Sequence, residues 1–155
     1  MDVKHDNKPN VAQLCEWYGQ TGTQNTSPTA DQWYRTLEKP ADSPITLINF
    51  FKLRDIADYP GDDDNANQGL SGQEAFGLYA AVSIPTMERI GGKFLLVGPY
   101  ETTFIGTNED WDLIAVGSYP NRQALLDLYS DPDYRAVFRH RTAACARQKV
   151  MACSQ

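Results

Sequence analysis

Two adjacent side chains, His140 and Arg141, have types that could carry chemistry in this sequence. Histidine titrates near neutral pH and is a common general acid or base, and a guanidinium binds carboxylate or phosphate groups through paired hydrogen bonds. The other histidine, His5, lies in a polar N-terminal stretch, so His140 is the candidate catalytic residue. The alternative is a structural or surface histidine, and no motif supports His140 as a haem ligand.

Arg141 belongs to an apolar stripe with helical spacing. A buried guanidinium needs a compensating partner, because an unpaired charge is very costly to bury. We therefore predict that Arg141 and Tyr134 line a ligand pocket, with Arg141 as an anion clamp. The alternatives are an ion pair of Arg141 with Asp112 or Asp131, or a charge that reaches the surface. Residues three and four apart share one face of a helix, and here that face carries Tyr134, Val137, Phe138, Arg141 and Cys145.

Asn49 and Tyr79 are polar side chains at positions that are otherwise apolar. Asn49 interrupts one face of a predicted strand, and Tyr79 falls on the inward stripe of a predicted helix. If these faces meet, both side chains line a cavity between sheet and helices, where they would orient a ligand. Because buried polar groups need hydrogen-bond partners, the alternative is that both side chains are satisfied by nearby backbone groups.

The acidic loop 54–70 partly resembles a calcium-binding loop. Ligand-type side chains fall near the required positions between Asp63 and Glu74, but Gln68 occupies the sixth position, which needs glycine for a sharp turn. Glu74 also has the spacing of a capping box with Ser71. We therefore predict a solvated loop over the pocket mouth. With two histidines and three separated cysteines, we expect no metal and no cofactor.

Strand and helix patterns alternate from residue 45 onward. The run 45–53 is apolar on both alternating faces, which is typical of a strand that is covered on both sides. A helix is predicted over residues 71–90, and two further helices begin near residues 121 and 132, where N-cap and proline signals occur. The remaining strands are predicted over residues 93–106, 111–119 and 148–152.

Residues 1–44 are predicted to form an N-terminal extension with short helices, and residues 45–155 the main domain. Residues 11–18 have the apolar spacing of an amphipathic helix. A second helix is expected to follow Thr29 as its N-cap. The extension would cover the pocket or add to an interface between subunits. The side chains predicted to face inward from the second helix are Trp33, Tyr34 and Leu37.

The order strand, helix, strand, strand, helix, strand predicts an α+β fold with the ferredoxin-like βαββαβ arrangement. In this arrangement the helices cover one face of a four-stranded antiparallel sheet and leave the other face open. Because strands 45–53 and 111–119 also carry apolar residues toward the open face, we expect a homodimer in which two such faces meet.

The net charge of −6 disfavours nucleic acids and anionic membrane surfaces as partners. No apolar run approaches the roughly 20 residues that span a bilayer, and the N-terminal stretch lacks the apolar segment of a signal peptide. The three cysteines form no close pair, so free thiols in the cytoplasm are expected. The partners that remain are a second copy of the chain and a small molecule.

Several positions carry a family resemblance: Tyr79, Pro85, Gly91-Gly92, Trp111-Asp112, Tyr119-Pro120, the turn 130–134 and His140-Arg141. With these marks, residues 45–152 resemble domain-of-unknown-function family 1330 of the dimeric α+β-barrel superfamily. The resemblance implies a ferredoxin-like fold and a homodimeric barrel, and no established activity. Superfamily relatives include cofactor-independent oxygenases, isomerases and haem-handling enzymes, but a fold predicts function poorly.

Two hypotheses on function follow: a cofactor-independent enzyme or binding protein for a small apolar or anionic metabolite, and a non-catalytic accessory dimer with structural polar residues.

Overall fold

A four-stranded antiparallel sheet forms the centre of the domain. The computed structural model describes residues 9–19 and 26–155. The strands are Ile45–Leu53 (β1), Lys93–Pro99 (β2), Leu113–Tyr119 (β3) and Cys145–Ser154 (β4). Their order is β2-β3-β1-β4, and all neighbours are antiparallel. With the helices that connect them, these strands form the ferredoxin-like βαββαβ arrangement, which confirms the predicted α+β fold class.

Five helices occur in the described part of the chain. They are Val11–Tyr18 (α1), Ala30–Thr36 (α2), Gly72–Arg89 (α3), Arg122–Ser130 (α4) and Pro132–Ala144 (α5). The predicted capping box at the start of α3 is present, because Ser71 and Glu74 exchange side-chain to backbone hydrogen bonds. None of these five helices has both the length and the apolar character needed to cross a membrane.

One residue, Asp131, joins α4 to α5. It is the C-cap of α4 and the N-cap of α5, and its Oδ1 accepts hydrogen bonds from the backbone amides of Asp133 and Tyr134. Its Oδ2 accepts a hydrogen bond of 2.8 Å from Arg89 in the last turn of α3. The helix start predicted at Asp131-Pro132 is therefore confirmed, and one carboxylate connects three helices.

The described part of the N-terminal extension packs into the same core as the sheet. Leu14 on α1 and Trp33 on α2 are buried. The Tyr18 hydroxyl donates to the backbone carbonyl of Tyr129 at 2.7 Å, and the Trp33 and Tyr129 rings meet edge to face at 5.1 Å. Both predicted helices of the extension are thus present. The division at residue 44 stays a prediction, because the core takes side chains from both parts.

Three details differ from the sequence predictions. Tyr34 is 64% exposed although it is predicted to face inward, because neighbouring helix positions point about 100° apart and Trp33 takes the core side. Leu78 fits the apolar spacing predicted for the helix 71–90, yet it is exposed for the same reason beside buried Tyr79. β2 ends at Pro99 and not at residue 106, because Pro99 pairs with Leu113, the first residue of β3, and no strand partner in the described chain lies beyond this pair.

The described helices pack against one face of the sheet and leave the other face open. Ile45 and Phe51 of β1 point toward the helices and are buried. On the opposite face Ile48 of β1 lies beside Val116 of β3, which in turn pairs with Leu96 of β2. No described helix covers this second face, and Leu96 is 57% exposed. The predicted excess of apolar residues on the open face is therefore present.

Candidate functional site

An elongated cavity, here called the β4 trough, lies between β4 and the segment 26–39. At one end the Gln148 side-chain amide donates to the Thr26 carbonyl at 3.5 Å, and at the other the Lys39 ammonium donates to the Ser154 hydroxyl at 2.6 Å. Ser154 follows Gln148 by six residues, so these ends are about 20 Å apart at about 3.3 Å per strand residue. The volume of the trough is about 850 Å³.

The trough follows the helix-facing side of β4. Every second side chain from Gln148 to Ser154 points toward it, because these positions pair in register with the inward positions of β1. Beyond Gln148 these β4 side chains are exposed, since the trough separates them from the helices. The apolar floor and the opposite wall consist of Trp33, Ile45, Leu47, Leu125, Tyr129 and Phe138.

The trough concentrates positive charge in an acidic protein. The whole chain has 14 basic and 20 acidic residues. Among the described residues that line the trough, six are basic and one, Glu109, is acidic. The electrostatic field of this region therefore favours an anionic ligand. The six basic residues are Arg35, Lys39, Arg122, Arg141, Arg147 and Lys149.

Arg141 provides a buried cation at the Gln148 end of the trough, with only 6% of its surface exposed. Its Nε donates to Gln148 Oε1 at 2.9 Å, and its Nη1 donates to the Tyr79 hydroxyl at 3.1 Å. The guanidinium carbon lies 4.9 Å from the ring centroid of Phe51 and 5.3 Å from that of Phe138. Aromatic ring faces at such distances stabilise a cation. All of these neighbours are neutral.

Arg141 has no carboxylate partner in residues 9–19 and 26–155. The two partners considered from the sequence are engaged elsewhere. Asp112 accepts a hydrogen bond of 2.7 Å from the backbone amide of Leu53, and Asp131 pairs with Arg89. The ion pair of Arg141 with Asp112 or Asp131 is therefore not formed, and the charge is left for another partner.

Three buried tyrosines surround the guanidinium without neutralising it. The Tyr79 hydroxyl is hydrogen-bonded to the Tyr134 hydroxyl at 2.9 Å, and the Tyr129 hydroxyl also interacts with Arg141. Burial raises the pKa of both Tyr129 and Tyr134. Both phenols therefore stay protonated near neutral pH and give Arg141 no negative charge.

The structure brings together three of the predicted site residues, Arg141, Tyr79 and Tyr134. Of these, Arg141 borders the trough directly, and the two tyrosines stand behind it. Asn49 lies apart: its side-chain amide donates to the Ala115 carbonyl at 3.0 Å within the sheet, and it does not line the trough. This contact matches the structural alternative for Asn49, and its role in ligand binding stays a prediction.

His140 contacts the acidic loop and not the trough. Its Nδ1 lies 2.6 Å from the Tyr59 hydroxyl, and its ring is buried. Burial, and next the positive charge of Arg139, lower the pKa of His140, so its imidazole is neutral near pH 7. Although His140 and Arg141 are adjacent in sequence, consecutive positions of a helix point in different directions. The predicted pair therefore does not share one pocket.

The acidic loop is held to α5 by an ion pair. Asp63 accepts a hydrogen bond of 2.5 Å from Arg139, and this contact lowers the pKa of the Asp63 carboxyl to about 2. Glu74, at the other end of the predicted calcium pattern, accepts from the backbone amide of Ser71. Within residues 9–19 and 26–155 no group of three or more potential metal-ligating side chains is found. Both carboxylates thus have protein partners.

Of the predicted site residues only Arg141 lines the trough, and three of the trough residues that the predictions lack matter for its chemistry. Trp33 is predicted only as a core side chain, yet it lines the trough, and its indole Nε1 has no hydrogen-bond partner in the described chain. Gln148 and Lys39 occupy the two ends. No local signal marks these residues, because they form one site only when the segment 26–39 packs beside β4.

Two crystal structures are similar to this fold over most of its length. One is a protein of unknown function from Rhodopseudomonas palustris, and the other is a methylated form of the same protein. Each is 30% identical to this chain and covers 86% of it, with TM-scores of 0.75 and 0.76; the matches span 98% and 96% of those chains.

A third crystal structure is less similar to this chain, and a family model matches most of its length after residue 65. A dimeric protein of unknown function with a ferredoxin-like fold, from Bacteroides fragilis, is 15% identical, with a TM-score of 0.44 over 72% of this chain and 96% of its own. No curated protein matches the chain. The model of DUF1330, a domain of unknown function, matches residues 66–153, which is more than half of the sequence. The chain therefore belongs to the DUF1330 family.

Proposed function

We propose that the protein binds a small molecule that combines an anionic group with an apolar body. The observation that carries this proposal is Arg141, a buried guanidinium with no carboxylate partner among the described residues. Arginine stays charged at all physiological pH values. An anion that binds beside it in the trough would complete a charge-assisted hydrogen-bonded pair.

The lining of the trough supports an apolar body for this ligand. Ile45, Leu47 and Leu125 contribute aliphatic surface, and Trp33 contributes a large ring. The volume of about 850 Å³ lies within the range of roughly 300–1,000 Å³ that is typical of small-molecule pockets.

The proposal concerns binding and includes no reaction. A general acid or base must come within hydrogen-bond reach of the reacting group, and His140 contacts Tyr59 instead of the trough. The catalytic role of His140 therefore stays a prediction. Tyr79 and Tyr134 enter the proposal as positioning residues, because Tyr79 accepts from Arg141 and is itself hydrogen-bonded to Tyr134.

Carboxylates are expected to bind more tightly than amides of the same shape. We expect octanoate and phenylbutyrate to bind at least about tenfold more tightly than octanamide and phenylbutyramide, since only the acids compensate the charge of Arg141. Isothermal titration calorimetry at low ionic strength measures the four affinities. Equal affinities for acid and amide, or no binding of either acid, would contradict the proposal.

The second hypothesis, a structural role for Arg141, has one specific observation in its favour. The rings of Phe51 and Phe138 lie close to the guanidinium, and two neutral acceptors already bind it. Such an environment holds a cation in place without a ligand. Under this hypothesis the protein is a non-catalytic accessory dimer, and neither acid nor amide binds in the trough.

We also propose that the protein is a cytoplasmic homodimer joined through the open sheet face. Ile48, Val116 and Leu96 form a row of apolar side chains across this face, and no described helix covers them. An uncovered apolar sheet face is a common site of self-association. The three cysteines are free thiols, which suits a reducing compartment.

Leu96→Lys is expected to produce a monomer, because an ammonium group within a paired apolar face would be buried without a partner. Sedimentation velocity of the wild type and the variant measures the change. The matched control is Leu78→Lys on α3, which is also exposed but lies in the helical layer. The control is expected to stay dimeric. A monomeric wild type, or a dimeric Leu96→Lys variant, would rule out this interface.

A further inference from the structure

We infer that the ligand of the β4 trough carries a second anionic group at the end opposite Arg141, so that the preferred class is an extended apolar dianion. The inference rests on the proposed function and makes it more specific. It depends on Lys39, whose ammonium group donates to the Ser154 hydroxyl at 2.6 Å at the far end of the trough. Each end of the trough then has one cation that is available to a ligand.

Two of the six trough cations already have carboxylate partners. Arg35 pairs with Asp31 at 2.9 Å on α2, and Lys149 pairs with Glu109 at 3.4 Å. In both pairs the charges lie at the surface and compensate each other. Neither side chain therefore needs an anionic ligand.

Two further cations are occupied by neutral groups. Arg122 donates from Nε to the Thr36 carbonyl and from Nη1 to Ser43 and Pro44, so its donors face the protein. Arg147 lies with its guanidinium carbon 4.2 Å from the ring centroid of Trp111 and also donates to a backbone carbonyl. It belongs to the side of β4 that faces away from the helices, since it precedes the inward-pointing Gln148 by one position.

The two other cations, Arg141 and Lys39, also lack a carboxylate partner in the described chain, and they bind inward-facing side chains of β4 at the two ends of the trough. Lys39 forms no ion pair with any carboxylate of the described residues, and its hydrogen-bond partner, the Ser154 hydroxyl, is neutral. An ammonium and a hydroxyl at one spot can together bind a carboxylate, because both groups donate hydrogen bonds. Arg141 and Lys39 are fixed to Gln148 and Ser154, so they define opposite ends of the same trough.

The surface between the two ends is apolar. On β4 the inward positions between Gln148 and Ser154 are Val150 and Ala152, and the adjacent positions of β1 include Leu47. The long side chains of Arg141 and Lys39 can lean into the trough, so the ligand is shorter than the separation of about 20 Å along the strand. Dodecanedioate, roughly 14 Å between its carboxyl carbons when extended, fits this requirement.

The test compares dodecanedioate with its monomethyl ester, which has the same chain and only one charge. We expect the wild-type protein to bind the diacid about fivefold more tightly than the ester, the gain that a solvent-exposed ion pair of about 1 kcal/mol provides. Adipate, which is too short to span the trough, is expected to bind more weakly than either. Calorimetry at low salt measures all three affinities, and the preference is expected to shrink as salt screens the exposed pair.

Two single-residue variants test whether Lys39 forms the second anionic subsite. Lys39→Met removes the ammonium group but keeps the length of the side chain, and we expect equal affinities for diacid and ester. Arg35→Met is the matched control, because it also removes one positive charge from the trough wall, at a residue that is paired with Asp31. In this control the fivefold preference for the diacid is expected to remain.

The outcomes separate this inference from the proposed function. If both compounds bind the wild type equally and binding needs Arg141, the second subsite is absent while the proposed function stands. The same conclusion follows if Lys39→Met keeps the preference for the diacid. If neither compound binds, the proposed function fails as well.

Discussion

Replacement of Arg141 by leucine is expected to abolish carboxylate binding without lowering the stability of the unliganded protein. The variant loses the buried charge that would pair with the ligand, and we expect affinity for octanoate to fall about 100-fold or more, since truncating one member of a buried charge pair costs about 2–5 kcal/mol. Affinity for octanamide should change little. Calorimetry on both proteins measures these affinities.

The free energy of unfolding of Arg141→Leu should stay within about 1 kcal/mol of the wild type. The guanidinium makes no ion pair in the described chain, so its removal leaves no opposite charge unpaired. Tyr79 keeps its hydrogen bond with Tyr134, and Gln148 borders the open trough, where water can reach its amide. Urea denaturation measures the difference.

Arg139→Leu is the control for the loss of a positive charge near the same helix. Arg139 binds Asp63 of the acidic loop and does not line the trough, so the affinity of this variant for octanoate should equal that of the wild type. If Arg141→Leu retained octanoate binding and lost several kcal/mol of stability, Arg141 would be structural and the accessory-dimer hypothesis would gain.

Replacement of Arg122 by leucine is expected to destabilise the protein by about 2–3 kcal/mol. Arg122 is as deeply buried as Arg141, and it also lines the trough. Its Nε donates to the Thr36 carbonyl at 2.9 Å, and its Nη1 donates to the Ser43 hydroxyl at 2.7 Å and to the Pro44 carbonyl at 3.1 Å. These bonds tie the end of α2 and the following turn to α4. The variant would leave these acceptors, and the Ser43 carbonyl that also accepts from Nη1, without this donor.

A lower urea midpoint with an unchanged slope would show that Arg122→Leu lowers the free energy of unfolding. Ser43→Ala is the matched control, because it removes one acceptor of the same set and should cost about 1 kcal/mol. An Arg122→Leu midpoint equal to that of the wild type would contradict the prediction. Neither arginine has a carboxylate partner in the described chain, but their places differ: Arg122 binds carbonyls and a hydroxyl at the turn after α2, whereas Arg141 binds the side chains of Gln148 and Tyr79 at one end of the trough.

The fold could be predicted where local chemistry decides the structure. Asp131 followed by proline starts a helix in almost any context, because the carboxylate caps the free amides and proline suits the first turn. The capping box of Ser71 and Glu74 is equally local. The end of β2 at Pro99 was harder to predict, since Tyr100, Thr102 and Thr103 beyond it are common strand residues and only the pairing with β3 shows where the ladder stops.

The candidate site could be predicted only in part. The helical period placed Arg141 inward, and the structure shows it buried. The same pattern could not separate His140 from Arg141, because the direction of a side chain depends on what packs around the helix. Lys39 and Gln148 are far apart in the sequence and belong to different elements, and the trough between them exists only after the segment 26–39 has packed beside β4.

The joint at Asp131 links the three helices whose tyrosines surround Arg141. Tyr129 and Tyr134 flank this joint on α4 and α5, and the bond from Arg89 fixes the joint to α3, which carries Tyr79. One carboxylate thus sets the mutual positions of all three phenols around the guanidinium. A ligand that enters the trough would order few of these groups on binding, so little conformational entropy is lost there.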